Sequence, residues 1–185
     1  YMALYALQHR GQQSCGIAVN DDGIIRSYRD LGLVPDTFNQ RVLSDLGSGR
    51  MAVGHVLYGA SNPERADAQP LVVRHIKGSM ALAFNGALVN ALELKEELEL
   101  KGAIFHSNSD AEIISHVIIN ERLHTNSIEE AIEKAMDKLK GAYSMVVMSP
   151  QKLMAVRDPQ GIRPLAMGKM GGEIVFASES CAFDS

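Results

Sequence analysis

The dipeptide Asn85-Gly86 follows an apolar, strand-like stretch at residues 80–84 and is a candidate for part of a catalytic site. A side-chain amide next to a backbone N–H that glycine leaves accessible can direct two donors at one developing negative charge, as in an oxyanion hole. The same dipeptide is also typical of a tight turn, which the local sequence favours. Both interpretations stay open on the residues alone.

Ser109-Asp110 is a second polar pair, placed at the start of an apolar-periodic stretch. Serine at this position is typical of a helix N-cap, and the local sequence favours that interpretation. The alternative is functional: the Asp110 carboxylate would receive the ammonium group of a ligand.

His106, Glu112 and His116 raise the question of a metal site, since Glu112 and His116 share one helix face. No third ligand has a convincing spacing, so we expect no metal in this domain. Cys15 lies inside an apolar strand and is predicted to be a small core residue rather than a nucleophile. Residues 157–164 are predicted to form a rigid turn with an internal ion pair.

Strands dominate both ends of the chain, and helices cluster in its middle. This segregation predicts an α+β fold with antiparallel sheets flanked by helices, because a parallel doubly wound sheet would alternate strands and helices singly. Asn90 is expected to cap its helix, with Glu93 in the capping-box position. Strands are predicted at residues 15–20, 24–29, 51–58, 71–75, 79–84, 143–148, 153–157, 165–170 and 173–177, and helices at 36–46, 90–101, 110–123 and 127–140.

Composition excludes several classes of protein. With 185 residues, a net charge of -4 and no basic stripe, the chain is not expected to bind nucleic acid or an anionic membrane. No apolar run reaches the roughly 18 to 20 residues of a membrane span. Two cysteines fit a reducing compartment, and we expect a cytoplasmic protein. Since the chain begins with Tyr1 rather than Met, we expect it to be part of a longer protein.

Several short motifs occur together in a recognisable order, and they cover essentially the whole chain. With them the chain resembles class II glutamine amidotransferases, most closely the glutaminase domain of amidophosphoribosyltransferases. The resemblance implies an N-terminal-nucleophile (Ntn) hydrolase fold, a four-layer αββα sandwich of two antiparallel sheets flanked by helices. The motifs are His9-Arg10-Gly11-Gln12, Gly54-His55-Val56, Ala68-Gln69-Pro70, Asn85-Gly86, Ser109-Asp110, Gly141-Ala142-Tyr143, residues 157–165 and Ala177-Ser178-Glu179.

In that family an amino-terminal cysteine attacks the side-chain amide of glutamine, and its own α-amino group acts as the base. The resemblance implies that Asn85 and Gly86 form the oxyanion hole, that Asp110 accepts the substrate's α-ammonium, and that Arg10 orients the nucleophile. The nucleophilic cysteine is expected upstream of His9, in a stretch that this chain does not contain, together with the family's amino-terminal strand. Cys15 cannot be that residue.

One part of the family's site is altered. The usual run is Gly-His-Val-Arg-Tyr-Ser-Thr, whereas the chain has Leu57 in the place of the arginine that grips the glutamine α-carboxylate. Gly59 and Ala60 stand where the family has hydroxyl side chains. Loss of a charge-assisted contact and two hydroxyls predicts weakened recognition of the carboxylate.

The resemblance also implies partners and a role. We expect glutamine as substrate, ammonia release for phosphoribosylamine formation in purine biosynthesis, a phosphoribosyltransferase domain after residue 185, and a homo-oligomer. No cofactor is expected in this domain; Mg²⁺ and an iron–sulfur cluster would belong to the C-terminal part, since Cys15 and Cys181 supply too few ligands for a cluster. The alternative is a catalytically degenerate scaffold or small-ligand-binding module.

Overall fold

The structure is a computed structural model that describes residues 1–59 and 64–184. Within those residues, no helix has both the length and the apolar character that crossing a membrane requires. The helices are α1 (Met2–Ala6), α2 (Val34–Thr37), α3 (Gln40–Asp45), α4 (Ala91–Leu100), α5 (Asp110–Leu123) and α6 (Ile128–Met136). The strands are β1 (Ser14–Asp21), β2 (Ile24–Leu31), β3 (Met51–Leu57), β4 (Leu71–His75), β5 (Gly78–Leu88), β6 (Gly141–Met148), β7 (Leu153–Arg157), β8 (Ala166–Met170) and β9 (Glu173–Ala177).

The strands form antiparallel sheets in the orders β2-β1-β3 and β4-β5-β6-β7, with β8-β9 as a separate hairpin. The predicted hairpin between β1 and β2 is confirmed. Its turn residues Asp22 and Gly23 have φ angles of 52° and 84°. Positive φ at both central residues gives the turn the twist that a two-residue hairpin needs.

Alternate side chains of β5 point to opposite faces of its sheet, and each face packs against a different layer. Met80, Leu82 and Phe84 are buried against α4, α5 and α6 on one face. Ala81 and Ala83, which alternate with them, pack against residues of the other sheet. The strand is therefore buried on both faces.

The other sheet has a helical layer of its own. Cys15, Ile17 and Val19 of β1 are buried against Leu4 of α1 and Val34 of α2, on the face away from β5. The layer order is helices, sheet, sheet, helices. The four-layer αββα arrangement is confirmed.

The single helix predicted at 36–46 is wrong, because the chain breaks there into α2 and α3. Phe38 is extended, with φ -109° and ψ 97°, and its side chain is buried in an edge-on contact with Tyr28. Asn39 then caps α3 by accepting a hydrogen bond from the Val42 N–H at 3.0 Å. Burial of Phe38 and a new cap outweigh the local helix pattern.

The helix predicted at 90–101 forms, but its capping box does not. No side-chain hydrogen bond caps α4, and the exposed Glu93 takes no part in one. The Asn90 side chain instead donates to the Lys138 carbonyl at 3.0 Å and accepts from the Lys140 N–H at 3.1 Å. Asn90 thus joins the start of α4 to the segment that leads into β6.

We expect Asn90→Ala to lower the free energy of unfolding by about 1–3 kcal/mol, because it leaves the Lys138 and Lys140 backbone groups without their partner. Urea denaturation measures the change. Glu93→Ala is the matched control and should cost less than about 0.5 kcal/mol, since surface substitutions without specific contacts are nearly neutral. A larger loss for Glu93→Ala than for Asn90→Ala would contradict this assignment.

Candidate functional site

The site forms where β5 extends beyond its neighbour β4. Pairing with β4 ends at Leu71↔Leu82, whereas pairing with β6 continues to Leu88↔Gly141. Asn85 and Gly86 lie in this extension, opposite Ser144 and Tyr143. The interpretation of Asn85-Gly86 as a tight turn is therefore wrong: the two residues belong to a strand with one open edge.

Side chains from other segments satisfy most of this open edge. The Phe84 N–H donates to Gln69 Oε1 at 2.7 Å, and the Phe84 carbonyl accepts from His55 Nε2 at 3.0 Å. The Leu88 N–H donates to Asp110 Oδ2 at 2.8 Å. Because backbone groups alternate along an antiparallel strand, the N–H of Gly86 points to the same side as those of Phe84 and Leu88.

A cavity of about 800 Å³ lies at this edge and brings the predicted residues together. Asn85 shares the strand face of Ala81 and Ala83, so its side chain projects into the space between the sheets at the cavity wall. Among the residues that line the cavity are the five expected in the substrate and oxyanion site: Arg10, Leu57, Asn85, Gly86 and Asp110. Gly59 is exposed, two residues beyond Leu57, and Ala60 lies outside the described residues.

Gly86 is required by the close approach of β6. A Cβ atom at this position would lie 2.3 Å from the Ala142 carbonyl oxygen and 2.7 Å from Tyr143 Cα, both of them backbone atoms. A donor N–H can be presented here only by a residue without a side chain. Gly86 and Asn85 together can hold one negatively charged oxygen.

Asp110 faces the cavity from the first turn of α5. The predicted cap is confirmed, since Ser109 Oγ accepts from the Ala111 N–H at 3.3 Å. The contact with Leu88 holds one Asp110 oxygen in place, and a carboxylate has further acceptor capacity for a ligand's ammonium group. Asp110 therefore lies on the same strand edge as Gly86.

His106, Glu112 and His116 do not converge as metal ligands. Glu112 accepts hydrogen bonds from the His106 and Ser107 N–H groups at 3.0 and 2.8 Å and from Ser107 Oγ at 2.7 Å. Burial raises the pKa of the Glu112 carboxyl, but these hydrogen bonds lower it by more. His116 packs against the Phe105 ring instead. The cluster holds the loop that leads to Asp110.

Arg10 is held at the cavity by Glu179, which follows β9. One guanidinium N–H of Arg10 donates to Glu179 Oε1 at 2.9 Å, and His9 Nε2 lies 2.7 Å from Glu179 Oε2. The hydrogen bonds from His9 and then Arg10 lower the pKa of the Glu179 carboxyl. No role was expected for Glu179, although it is part of the motif Ala177-Ser178-Glu179.

The backbone at Leu57 is fixed by its neighbours. Its carbonyl accepts from the Gln13 N–H at 3.1 Å, and a Cβ at Gly11 would lie 2.4 Å from its carbonyl carbon. The leucine side chain lines the cavity. The position expected to grip a carboxylate is thus present in the site, but its side chain is apolar.

The turn predicted at 157–164 is confirmed, but its ion pair is wrong. Asp158 accepts from the N–H groups of Tyr143, Gln160 and Ile162. Arg157 donates to the Gly161 and Arg163 carbonyls, and no salt bridge within the described residues joins it to Asp158. Backbone groups therefore hold this wall of the cavity.

Cys15 is a core residue, as predicted. It is 0% exposed, and burial raises the pKa of its thiol. A thiolate is the reactive form of cysteine, so a buried thiol with a raised pKa is a poor nucleophile.

His55 also lines the cavity. It is part of the motif Gly54-His55-Val56, but no role was expected for it. Its Nε2 donates to the Phe84 carbonyl, while its Nδ1 is buried and has no hydrogen-bond partner among the described residues. Burial lowers the pKa of His55 to about 4, although the bond to Phe84 acts in the opposite direction. His55 is therefore neutral at pH 7 and joins β3 to the strand edge next to Asn85.

We expect His55 to make the free energy of unfolding depend on pH. Between pH 6.5 and 4 the unfolded chain binds a proton at His55 that the folded chain does not, so stability falls as the pH falls, by about 3 kcal/mol in total. His55→Gln should remove this contribution in urea denaturation at pH 7 and pH 4. The exposed control His124→Gln should lose as much unfolding free energy between pH 7 and pH 4 as the wild type. An equal loss in His55→Gln would contradict the prediction.

Comparisons with known proteins show the family of the chain. A model of the glutamine amidotransferase domain matches residues 60–185. The chain is 44% identical over 183 residues to amidophosphoribosyltransferase of Methanocaldococcus jannaschii, covering 98% of this chain and 39% of that protein. The solved glutamine phosphoribosylpyrophosphate amidotransferase from B. subtilis, complexed with ADP and GMP, superposes with a TM-score of 0.91 at 40% identity, covering 100% of this chain and 39% of that one.

A second solved structure, described as the allosteric regulatory enzyme of purine biosynthesis, gives a TM-score of 0.94 at 40% identity over 100% of this chain and 39% of that chain. The chain thus spans about 39% of the length of the relatives it matches. The family match extends over more than half of the chain and includes Asn85, Gly86 and Asp110. On this sequence match, and with a structure that agrees, the chain belongs to the glutamine amidotransferase domain family.

Proposed function

We propose that this chain is the glutamine-hydrolysing domain of an amidophosphoribosyltransferase and releases ammonia for phosphoribosylamine formation in purine biosynthesis. The observation that carries the proposal is the open edge of β5, where the Asn85 side chain, the Gly86 N–H and the Asp110 carboxylate share one cavity. An amide substrate with a free ammonium group matches these three groups. Relatives named for this activity support the assignment.

The proposed chemistry is attack of a thiolate on the carboxamide carbon of glutamine. Negative charge then develops on the amide oxygen, where Asn85 and Gly86 donate hydrogen bonds to it. Asp110 binds the α-ammonium and so places the amide at those donors. The nucleophile is expected to be a cysteine upstream of Tyr1, whose α-amino group, with an ordinary pKa of about 7.7–8.0, serves as the base and takes the thiol proton. That proton passes to the amide nitrogen as the C–N bond breaks, which releases ammonia and leaves a thioester. Water then hydrolyses the thioester to glutamate and restores the thiol.

Arg10 is proposed to orient that nucleophile. The Arg10 side chain is half-buried, and the residue lines the cavity. A salt bridge to Glu179 holds the guanidinium in place. A cation held by a carboxylate loses little further freedom when it binds or positions another group. The Arg10–Glu179 pair thus acts in positioning, and neither residue supplies the oxyanion donors.

The end of the site that would bind the α-carboxylate lacks a cation at Leu57. We propose that glutamine binds weakly here, because a charge-assisted hydrogen bond contributes about 1.5–3 kcal/mol. Gly59 and Ala60, in place of hydroxyl side chains, reduce recognition further. The residues at positions 57, 59 and 60 also favour the alternative function, a scaffold or small-ligand-binding module that does not hydrolyse glutamine.

The wider assembly also stays a prediction. It comprises a phosphoribosyltransferase domain after residue 185 that uses Mg²⁺, an iron–sulfur cluster in that part, a homo-oligomer and a cytoplasmic location. A four-cysteine cluster does not fit the described residues, since Cys15 is buried in the first sheet and Cys181 is the only other cysteine they contain.

We expect Asn85→Ala, in the full-length encoded protein, to lower kcat for glutamine hydrolysis by about 10²–10³-fold with a small change in KM, because the lost donor acts on the transition state. Steady-state ammonia release measures both constants. Asn126→Ala, at an exposed position before α6, is the matched control and should behave as wild type. Wild-type kcat in Asn85→Ala would refute the oxyanion assignment.

We expect Leu57→Arg, combined with Gly59→Ser and Ala60→Thr, to lower KM for glutamine by about 10–100-fold, which corresponds to one restored charge-assisted contact. Leu57→Met, with the same substitutions at 59 and 60, is the uncharged control. Ordinary glutamine affinity in the unaltered protein would contradict the claim of weakened carboxylate binding. Absence of hydrolysis in every variant, with no thermal shift on adding glutamine, would favour the scaffold function.

A further inference from the structure

A cluster of three possible metal ligands lies beside Arg10, at the outer rim of the cavity. Within the residues that the structure describes, His9, Glu179 and Cys181 form the one group of three or more such side chains whose donor atoms all lie within 4.8 Å of one another. His9 Nε2 is 2.7 Å from Glu179 Oε2, and Cys181 Sγ is 3.8 Å from the same oxygen. The three donors converge on one point.

We propose that His9 Nε2, Glu179 Oε2 and Cys181 Sγ form a binding site for a divalent cation that accepts sulfur ligands, with Zn²⁺ as the best match. A nitrogen, an oxygen and a sulfur donor are a ligand set that Zn²⁺ accepts, whereas Mg²⁺ and Ca²⁺ require oxygen ligands. Spacing along the sequence gives no sign of this site, because its ligands come from opposite ends of the chain.

The spacing of the donors is close to what the ion needs. Tetrahedral Zn²⁺ with ordinary bond lengths places neighbouring N, O and S donors about 3.4–3.6 Å apart. The observed separations of 2.7 and 3.8 Å lie on either side of that value. The His9 side chain is 56% exposed, which leaves it room to move outward and admit the ion. The fourth position would take water.

Arg10 is compatible with a bound cation because it uses the other carboxylate oxygen. Its N–H donates to Glu179 Oε1, and Oε2 is the atom that faces His9 and Cys181. Carboxylates that ligate metals are commonly held by a hydrogen bond of this kind. The negative charges of Glu179 and of a Cys181 thiolate would balance the two positive charges of the ion.

Binding includes a proton balance. The Cys181 thiol, which is placed to donate to Glu179 Oε2 and to the Ala6 carbonyl, each at 3.8 Å, would lose its proton to solvent as the S–Zn bond forms. Zn²⁺ takes an imidazole nitrogen and a carboxylate oxygen as ligands at the other two positions. No electron is transferred. The ion would link the turn at His9-Arg10 to the segment 179–181 through metal–ligand bonds.

The first test uses the full-length encoded protein in apo form, with Co²⁺ as a spectroscopic probe and Zn²⁺ measured by equilibrium dialysis. We expect Co²⁺ to produce a thiolate-to-cobalt charge-transfer absorption at this site that is missing from the difference spectrum of Cys181→Ser. Glu179→Gln and His9→Gln should weaken Zn²⁺ binding at this site at least tenfold. Cys15→Ala and His106→Gln are matched controls and should bind as wild type.

A band that persists unchanged in Cys181→Ser, or equal Zn²⁺ stoichiometry in that variant and the wild type, would overturn the proposal.

The second test needs no variant. In the unaltered protein, Zn²⁺ should slow alkylation of Cys181 by iodoacetamide at least tenfold, as followed by peptide mass spectrometry, and a chelator should restore the rate. An alkylation rate that does not depend on Zn²⁺ would equally refute the site.

Discussion

Backbone hydrogen bonding along the outer half of β5 determines the shape of the site. β4 ends opposite Leu82, and β5 continues with no neighbouring strand on that side among the described residues. Unpaired backbone groups inside a protein cost free energy, so the groups at Phe84 and Leu88 are satisfied by side chains of Gln69, His55 and Asp110. At Gly86 the strand instead presents a donor to the cavity.

The fold was largely predictable where a pattern is local. The apolar stretch at residues 80–84 predicted a strand, and both faces of β5 proved to be buried. Local patterns predicted the wrong conformation where a segment distant in the sequence determines it. Asn85-Gly86 has the composition of a turn, but β6 lies alongside and keeps both residues in the strand.

Side-chain partners were harder to predict than elements. Asn90 has the sequence context of a helix cap, yet its amide bonds to the backbone at Lys138 and Lys140, which follow α6. Likewise, His9 and Glu179 are separated by 170 residues, so spacing along the chain carries no signal of their contact. The resemblance to a family named Asn85, Gly86, Asp110 and Arg10, and all four line one cavity.

The close packing of Gly11 on the Leu57 backbone has a consequence for how this site can change over time. Gly11 packs against the backbone of residue 57, and the Gln13 N–H donates to its carbonyl, so contacts that do not depend on the identity of the side chain hold the backbone there. Exchange of that side chain alters what the cavity attracts, while these main-chain contacts remain available. Position 57 is therefore a point at which ligand preference can evolve, in either direction, by single substitutions.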